Sequence, residues 1–376
     1  MQFRDLKAQY NNIRDDINRE ISKVIDDSNF IMGNQVRELE KELAEYVGVK
    51  HCLTCGNGTD ALQLAAMALD IKKGDAVFVP DFTFFASGEI VSLMGATPVF
   101  VDVDYDTFNM SPLKLEEAIL NVKKDGKLNL KAVIAVDLFG LPADYPRIKE
   151  ITNKYGLNLI EDGAQGFGGE INGEKACSFG DISTTSFFPA KPLGCYGDGG
   201  AVFTNNDKWA NLIDSYRVHG KGENKYDNVR IGINSRLDTI QAAILLVKLK
   251  AFKNYELKKV NRIANIYTNE LSKYVKTPII NNGFMSSWAQ YTIKLESKQL
   301  RDQLQIKLRE EGIPSMIYYP KPMHMQQAFK DNLYNFKNNN TNLLCDTVLS
   351  LPMHPYLEDE DINLVINSVK SYNKII

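Results

Sequence analysis

Four features are scarce or missing in this sequence: long apolar runs, an excess of one charge, histidine and cysteine. It contains 44 Lys and Arg against 47 Asp and Glu, a net charge of −3, with four His and five Cys in 376 residues. This balance gives no reason to expect nucleic acid or a membrane surface as a partner. No run of about 20 apolar residues is present, which excludes a bilayer-spanning helix. Residues 1–27 are rich in charged side chains, unlike a secretory signal peptide, so we expect a cytoplasmic protein.

The cysteines do not follow a pattern typical of disulfides or of a metal site. Their number is odd, and only Cys52 and Cys55 are closely spaced, as a C-x-x-C pair beside His51. Such a pair can take part in redox chemistry or supply half of a zinc site, but no second Cys pair or H-x-x-x-H spacing completes one. We therefore favour two ordinary buried thiols and predict no metal.

Apolar periodicity predicts a series of alternating helices and strands. Apolar residues recur at three- and four-residue steps from Leu6 to Val24, which predicts an amphipathic helix, and a second helix is predicted at residues 36–47. Alternation of buried strands and helices beyond this point predicts an α/β fold with a mostly parallel sheet covered on both faces. The predicted strands are residues 76–80, 98–102, 132–136, 157–161, 182–188 and 201–204, and the helices are residues 60–69, 113–120, 145–155 and 208–216.

A change of composition divides the chain near residue 250. A long apolar-rich helix is predicted from Leu237 to Leu249, and Lys and Asn become more frequent after it. We predict an N-terminal helical arm at residues 1–30, a large α/β domain at 31–250 and a smaller α+β domain at 251–376.

A glycine-containing turn opens one of the predicted helices. In Gly56-Asn-Gly-Thr-Asp60 the glycines allow close approach of the backbone, and a helix N-terminus offers free N–H groups and the positive end of a dipole. A plain capping turn uses the same residue types. This segment alone therefore leaves phosphate binding and simple capping both open.

Three further segments are expected near the carboxyl ends of strands, where ligands collect in this class of fold. Glu161-Asp162 could bind a metal, act as a base, pair with a cationic ring nitrogen or simply be solvated. Lys191 precedes a proline in a stretch dense in Pro and Gly, which indicates a shaped loop and leaves a functional and a surface role equally open. Phe84 follows the strand at 76–80 and is by default a core residue, although it could stack on a flat cofactor.

Together these four features match the requirements of pyridoxal 5′-phosphate (PLP). This cofactor needs an amine for a Schiff base, a carboxylate that keeps its pyridine nitrogen protonated, a phosphate cradle and an aromatic cover. A lysine amine can also carry a proton between carbon atoms when burial and neighbouring charge bring its pKa towards neutrality.

Six segments together resemble a known family, the DegT/StrS-type nucleotide-sugar aminotransferases. The resemblance extends over almost the whole chain. It implies fold type I of the PLP-dependent transferases, with a sheet of the seven-stranded type in the large domain, and a homodimer with two shared active sites. The segments are Phe3-Arg-Asp-Leu6, Gly56-Asn-Gly-Thr-Asp60, Glu161-Asp-Gly-Ala-Gln165, Thr185-Ser-Phe-Phe-Pro-Ala-Lys191, Arg230-Ile-Gly-Ile-Asn-Ser-Arg-Leu-Asp238 and Ser350-Leu-Pro-Met-His-Pro-Tyr356.

The resemblance also implies roles for single residues. Lys191 matches the Schiff-base lysine, and Asp162 matches the partner of the pyridine nitrogen. Asn234 matches a residue that the family contributes to the phosphate site of the neighbouring subunit. Arg236, in the same segment, is predicted to meet a substrate anion, and Tyr319 falls where the family places a sugar-side residue. The other cofactor positions are Gln165 beside the phenolic oxygen, Phe84 stacked on the ring, and Gly58, Thr59 and Ser186 at the phosphate.

Two segments resemble one branch of the family most closely. These are Pro192-Leu-Gly-Cys-Tyr-Gly-Asp-Gly-Gly200 and Leu351-Pro-Met-His-Pro355, and the branch aminates C3 of UDP-linked 3-keto sugars. Its substrates include 2-acetamido-2-deoxy-3-keto-hexuronic acids, precursors of bacterial polysaccharides such as lipopolysaccharide O-antigen, and its usual amino donor is L-glutamate. Tyr318 stands where this branch often has His, so a dTDP-linked 3-keto or 4-keto sugar stays open as the substrate.

Two alternatives belong to other classes of protein. A catalytically inactive sensor with a PLP fold would be expected to have lost Lys191 or Asp162, and both are present. A dinucleotide-dependent oxidoreductase would be expected to carry G-x-G-x-x-G after a first strand, and this motif is missing.

Overall fold

Parallel strands form the centre of the computed structural model, which describes residues 1–224, 226–332, 334 and 338–373. The strands are β1 (His51–Cys55), β2 (Asp75–Pro80), β3 (Thr97–Val101), β4 (Asn129–Val136), β5 (Asn158–Asp162), β6 (Glu170–Ile171), β7 (Glu174–Lys175), β8 (Ile182–Ser186), β9 (Gly200–Thr204), β10 (Phe284–Met285), β11 (Tyr291–Lys294) and β12 (Val348–Leu351). Seven of them form the main sheet in the order β1-β9-β8-β5-β4-β2-β3. Only β9 is antiparallel to its neighbours in this sheet. The predicted mostly parallel α/β fold is confirmed.

Helices cover both faces of this sheet. They are α1 (Leu6–Asp27), α2 (Asn34–Val47), α3 (Gly58–Ala68), α4 (Ala86–Leu93), α5 (Pro112–Asp125), α6 (Tyr145–Tyr155), α7 (Asp207–Tyr216), α8 (Thr239–Ala251), α9 (Leu257–Leu271), α10 (Lys298–Glu310), α11 (Asn339–Thr347) and α12 (Asp359–Asn373). Several begin at a side chain that accepts a hydrogen bond from a first-turn amide, the usual N-cap arrangement. These caps are Asn57 before α3, Ser111 before α5, Asp144 before α6, Asn206 before α7 and Ser297 before α10.

Side chains of the central strands alternate between two apolar layers. In β2, Val77 and Val79 pack with α3 and α4, whereas Ala76 and Phe78 pack with α5 and α6 on the opposite face. Successive residues of a strand point to opposite faces, so a strand covered on both sides must be apolar throughout. This is why the strands appear in the sequence as continuous apolar runs.

Two elements of the main sheet and its covering helices were not predicted from the sequence. One is β1, which contains His51, Cys52 and Cys55 and pairs with β9 at the edge of the sheet. The other is α4, a helix of eight residues with no side-chain cap, whose buried face includes Ile90 and Val91. Short helices have little stability of their own, so α4 depends on this packing.

The N-terminal helix and the C-terminal part of the chain are connected through α8. In α1, Ile13 and Ile17 pack against Ile244 and Val247 of α8. The helix α8 continues through a π-turn at Phe252–Glu256 into α9, so the boundary predicted near residue 250 falls within a continuous helical segment. A separate apolar core follows, formed mainly by α9, α10, α12 and the antiparallel pair β11–β12. The division into an arm and two domains stays a prediction.

Candidate active site

The predicted site residues lie where parallel strands end together. Val136 at the end of β4 pairs with Asp162 at the end of β5, and Asp162 pairs in turn with Thr184 of β8. Ser186 ends β8, and the segment that contains Lys191 follows it. The edge of the sheet therefore brings together segments that are distant in sequence, as expected for this fold class.

Asp162 is a buried carboxylate with a small set of partners. It is 5% exposed, and its Oδ2 accepts a hydrogen bond from the Ser87 hydroxyl at 2.7 Å while its Oδ1 accepts one from the Ala164 amide at 3.2 Å. Burial raises the pKa of Asp162, and the Ser87 hydrogen bond, the Ala164 hydrogen bond and the charge of Lys191 oppose this rise. A further cationic partner would stabilise the charged form.

Lys191 lies on a tight turn after β8. Its amide donates to the Phe188 carbonyl at 2.8 Å, and the Cys195 amide donates to the Phe187 carbonyl at 2.8 Å, which fixes the shaped loop that the sequence predicted. Its side chain is partly buried. Burial lowers the pKa of the Lys191 amine, the charge of Asp162 opposes this effect, and the charge of Arg4 adds to it.

A narrow cradle lies between the start of α3 and the end of β8. A Cβ atom added to Gly58 would lie 2.6 Å from the Ser186 Cβ, so only glycine lets these two segments approach so closely. The Asn57 side chain caps the Asp60 amide at 2.8 Å. The amides of Gly58 and Thr59, in the first turn of α3, have no acceptor one turn earlier in the helix. Such amides can bind an anion together with the positive end of the helix dipole.

Gln165 connects this edge of the sheet to the segment after α10. Its Nε2 donates to the Tyr319 hydroxyl at 3.0 Å, and its Oε1 accepts from the Phe139 amide at 2.7 Å, which fixes the orientation of its amide group. The Phe84 ring is 55% exposed, and its centroid lies 6.4 Å from that of Tyr319. Phe84 is therefore an exposed ring beside the site, not the core residue that was its default interpretation.

Asn234 and Arg236 are adjacent in sequence to Ser235, which contacts the turn before α3. Their own side chains lie at the surface, apart from the other predicted site residues. Ser235 lies between them, and its hydroxyl accepts from the Gly56 amide at 2.8 Å and donates to Asp60 at 2.7 Å. The Asn234 side chain is exposed and that of Arg236 is partly exposed. This single chain thus contributes Asn234 to a surface next to the cradle.

Two residues at the site were missed by the sequence analysis. Ser87 lies on the unpredicted α4, and nothing in its local sequence distinguishes it from another helix-surface serine. Arg4 lies in a motif that supported the resemblance, yet it received no role. Its Nη2 donates to the Lys191 carbonyl at 2.7 Å, a contact across 187 residues of sequence that only the fold creates.

The arrangement fits PLP. The cradle of Gly58, Thr59 and Ser186 could hold the phosphate, since a side chain on Gly58 would fill it. Asp162 could accept a hydrogen bond from a protonated ring nitrogen. This positive charge would stabilise the carboxylate, whose charged form is disfavoured by burial. Lys191 could then supply the amine, and Phe84 could cover the ring.

Other candidate sites receive no support. Among the described residues, no group of three or more His, Cys, Asp or Glu side chains could hold a metal ion. All five cysteines are buried free thiols, and burial raises the pKa of both Cys52 and Cys55. Within the described ranges, no helix combines the length and apolarity needed to cross a membrane.

The mostly parallel seven-stranded sheet, with helices on both faces, is the architecture of the PLP-dependent transferases of fold type I. Comparison with known proteins agrees, because the family model described as DegT/DnrJ/EryC1/StrS aminotransferase family matches residues 11–370. The chain belongs to this family.

Three relatives are similar along almost their whole length. The UDP-2-acetamido-2-deoxy-3-oxo-D-glucuronate aminotransferase of Pseudomonas aeruginosa is 42% identical, over 97% of this chain and 98% of its own. The UDP-N-acetyl-3-dehydro-alpha-D-glucosamine 3-aminotransferase of Acidithiobacillus ferrooxidans is 41% identical, over 97% of this chain and 96% of its own. A crystal structure of a DegT/DnrJ/EryC1/StrS aminotransferase from Brucella abortus is 50% identical, covers 99% of both chains and superposes with a TM-score of 0.97.

Proposed function

We propose that this protein is a PLP-dependent aminotransferase that moves an amino group from L-glutamate to C3 of a UDP-linked 3-keto sugar. The product would be a precursor of a bacterial polysaccharide or glycan. The observation that carries the proposal is that Asp162 at the end of β5 and the segment from Ser186 to Lys191 after β8 lie at one edge of the sheet, beside Gly58. The names of the Pseudomonas and Acidithiobacillus relatives support the UDP-linked 3-keto sugar as substrate.

Lys191 is the catalytic residue in this proposal. When bound, PLP supplies an electron sink for the carbon atom from which a proton leaves. The Lys191 amine takes this proton from the donor carbon and returns a proton on the acceptor side. Because burial and the charge of Arg4 lower its pKa, a larger fraction of the amine is neutral and able to accept a proton at neutral pH. General acid–base help of this kind is typically worth about 10²–10⁴ in rate.

Asp162 and Gln165 orient the ring, and the cradle fixes its phosphate. The Ser87 and Ala164 hydrogen bonds favour the ionised form of Asp162, which can then hold a proton on the ring nitrogen. The amide of Gln165 is held by Phe139 and Tyr319, so its direction is set before a ligand arrives. Preorganised groups of this kind need no rearrangement during the reaction.

Tyr319 and Arg236 form the sugar side of the site in this proposal. Burial raises the pKa of Tyr319, so its hydroxyl stays protonated at neutral pH. Since this hydroxyl already accepts from Gln165, its own proton is available for a sugar oxygen. Arg236, partly exposed on the surface beside the cradle, is suited to a phosphate or carboxylate of the substrate.

We also propose a homodimer in which Asn234 completes the phosphate site of the partner subunit. Asn234 is exposed, and large apolar side chains nearby are exposed as well, including Val229 at 53% and Ile231 at 89%. Phe188, close to Lys191 in sequence, is 53% exposed. A dimer interface that includes Asn234 would cover these side chains, as is typical of apolar surface at a contact between chains.

The first experiment is an absorbance spectrum of the purified protein before and after addition of L-glutamate. We expect a visible band from lysine-bound cofactor that glutamate converts to a shorter-wavelength form, and Lys191→Ala as a control without the band. A wild-type protein that stays colourless after incubation with PLP would overturn the proposed function and favour the inactive sensor.

The substrate is tested by offering the glutamate-treated protein UDP- and dTDP-linked sugars with keto groups at C3 or C4. A UDP-linked 3-keto sugar is expected to restore the first band, and the amine position of the product is checked by NMR. Restoration only by a dTDP-linked sugar would reject the UDP assignment. Hexuronic and neutral UDP sugars offered side by side would show whether a C6 carboxylate is required.

The shared site is tested by mixing two inactive variants, Lys191→Ala and Asn234→Asp. If Asn234 serves the partner's site, a mixed dimer contains one site with both wild-type residues, and mixing restores part of the activity. If Asn234 serves its own subunit, each site in a mixed dimer keeps one defect and no activity returns. Size-exclusion chromatography with light scattering gives the oligomeric state of each variant.

A further inference from the structure

Residues 2–5 form a segment that crosses from the C-terminal part of the chain to the loop of Lys191. At one end, the His354 ring donates from Nε2 to the Gln2 carbonyl at 3.2 Å, and the Met353 amide donates to the Phe3 carbonyl at 3.4 Å. The Phe3 ring lies edge-on to Tyr318, with centroids 6.2 Å apart. These contacts hold the segment in place on the side of the site where we propose the sugar binds.

Arg4 is the residue of this segment that reaches Lys191. Its Nη2 donates to the Lys191 carbonyl at 2.7 Å. Glu256 is the acidic residue whose charge acts on Arg4, but its carboxylate accepts hydrogen bonds from Gln9 at 2.8 Å and Tyr356 at 2.5 Å. Burial lowers the pKa of Arg4 to about 10, so its guanidinium is still charged at neutral pH.

A backbone carbonyl does not require a charged donor. A neutral amide would make the same hydrogen bond with a smaller cost of desolvation, because moving a charged group out of water is far more unfavourable than moving a neutral one. The positive charge of Arg4 therefore calls for an explanation beyond the hydrogen bond itself. Lys191 offers one, since the charge of Arg4 acts on its amine.

The charged and titratable groups around Arg4 and Lys191 come from four elements. Asp162 on β5 favours the protonated amine of Lys191, and Arg4 opposes it. Asp5 lies next to Arg4 and acts on His354, whose pKa burial lowers to about 4, so this imidazole is neutral. Glu256, in the π-turn after α8, acts on Arg4, and Arg4 acts in turn on Lys248 of α8, whose pKa burial lowers to about 8. Of these groups, only Arg4 and Asp162 contribute charge to Lys191 directly.

We propose that Arg4 is a positioning residue of the catalytic centre, which fixes the Lys191 backbone through its carbonyl and holds a positive charge close to this residue. This proposal rests on the proposed function, because it concerns the same lysine. It also gives the segment of residues 2–5 a role in the active site. The hydrogen bond sets where Lys191 lies, and the charge sets how readily its amine accepts a proton.

The test compares Arg4→Lys, Arg4→Gln and Arg4→Ala in the full chain with bound cofactor. Arg4→Gln keeps a donor and removes the charge, whereas Arg4→Lys keeps the charge with different geometry. Arg14→Gln is the matched control, since Arg14 is an exposed arginine on the neighbouring helix α1. The main readout is the pH titration of the visible band of the lysine-bound cofactor, which does not depend on turnover.

We expect Arg4→Gln and Arg4→Ala to move the midpoint of this titration to higher pH, because removal of a nearby positive charge favours the protonated form. The rising limb of kcat against pH should move in the same direction. Arg4→Lys should lie closer to wild type, and Arg14→Gln should coincide with it. A wild-type midpoint in Arg4→Gln, with full cofactor occupancy, would overturn the proposal.

A second measurement tests the proposal in variants that do not retain the cofactor. Competitive labelling of the cofactor-free protein with an amine reagent, followed by mass spectrometry of the Lys191 peptide, gives the reactivity of this amine against pH. Loss of charge at Arg4 should move this profile to higher pH, and an unchanged profile would reject the proposal. Failure of the proposed function is a separate outcome, because it appears as the absence of the visible band in the wild-type protein.

Discussion

The Nε2 of Gln165 donates a hydrogen bond to the Tyr319 hydroxyl at 3.0 Å, across 154 residues of sequence. This contact joins the loop after β5, which continues from Asp162, to the segment after α10. The hydrogen bond therefore fixes the positions of both side chains. Neither position follows from the local sequence around Gln165 or Tyr319.

Tyr319→Phe should disturb the site through Gln165. It leaves a buried amide without its acceptor, at a cost of about 1–3 kcal/mol in the free energy of unfolding. The absorbance maximum of the bound cofactor should also move, because Gln165 is proposed to lie beside its phenolic oxygen. Tyr318→Phe is the matched control, because it removes a hydroxyl from the adjacent tyrosine, whose ring centroid lies 5.8 Å from that of Tyr319. Equal spectra for Tyr319→Phe and wild type would argue against this place for Gln165.

Lys191→Ala should abolish transamination and leave the fold intact. The loss is chemical, because the lysine side chain is only partly buried and the turn around it is held by backbone hydrogen bonds. Turnover should fall by at least about 10²–10⁴, the range expected for loss of a general acid–base group, while circular dichroism and light scattering stay unchanged. Near-normal turnover would reject Lys191 as the catalytic residue.

Ser87→Ala should weaken cofactor binding by removing a hydrogen bond to a buried carboxylate. The pKa of Asp162 is expected to rise, because the Ser87 hydrogen bond lowers it. A hydrogen bond to a charged group is worth about 1.5–3 kcal/mol, which corresponds to roughly 10- to 100-fold in the dissociation constant of PLP. Ser92→Ala, on the exposed face of the same helix, is the control. Identical PLP titrations for the two variants would contradict the prediction.

Gly58→Ala should open the cradle. The new Cβ would lie 2.6 Å from the Ser186 Cβ, so the start of α3 and the end of β8 must separate. PLP or inorganic phosphate should bind more weakly, as measured by titration calorimetry. The double variant Gly58→Ala/Ser186→Gly removes the overlap. It should bind PLP more tightly than expected if the losses of affinity in the two single variants were independent. Additive losses would point to a cause other than steric overlap.

The stability of the protein should fall between pH 6.5 and pH 4 through His354. Its ring is buried, donates from Nε2 to the Gln2 carbonyl and accepts at Nδ1 from the Tyr356 amide, a pattern that only the neutral ring can make. Burial lowers the pKa of His354 from 6.5 to about 4. The unfolded chain therefore binds a proton in this window that the folded chain does not.

This difference contributes stability above pH 6.5 that is lost as pH falls towards 4, on the order of 3 kcal/mol in total. Urea unfolding at several pH values measures it, with His354→Gln as the variant that cannot titrate. The variant should be less stable than wild type at pH 8 and should lose less stability on acidification. Parallel curves for the two proteins would exclude His354 as a source of the pH dependence.

The sequence was most informative at positions where the residue type is unusual for a purely structural role. Lys191 before a proline, Asp162 at a strand end and the glycines at 56 and 58 each suggested a ligand, and the structure places these segments at one edge of the sheet. Six of the seven strands of the main sheet were predicted within a few residues, because strands that are buried on both faces must be apolar throughout.

Elements that depend on their neighbours were missed. The strand β1 has a mixed composition and becomes a strand through pairing with β9. The helix α4 is too short to be stable alone and depends on burial of Ile90 and Val91. Ser87 was missed with it, because its importance comes from Asp162, 75 residues further along the chain.

The sequence by itself determined the fold class, because apolar periodicity constrains the backbone locally, and it indicated PLP through the residue types that this cofactor requires. Only the tertiary structure decided which side chains support the segments that carry the site. Ser87 on Asp162, Tyr319 on Gln165 and Arg4 on the Lys191 carbonyl are contacts between residues far apart in sequence. The tertiary structure also decided the electrostatic environment of Lys191, since burial and the distances between charges exist only in the folded chain.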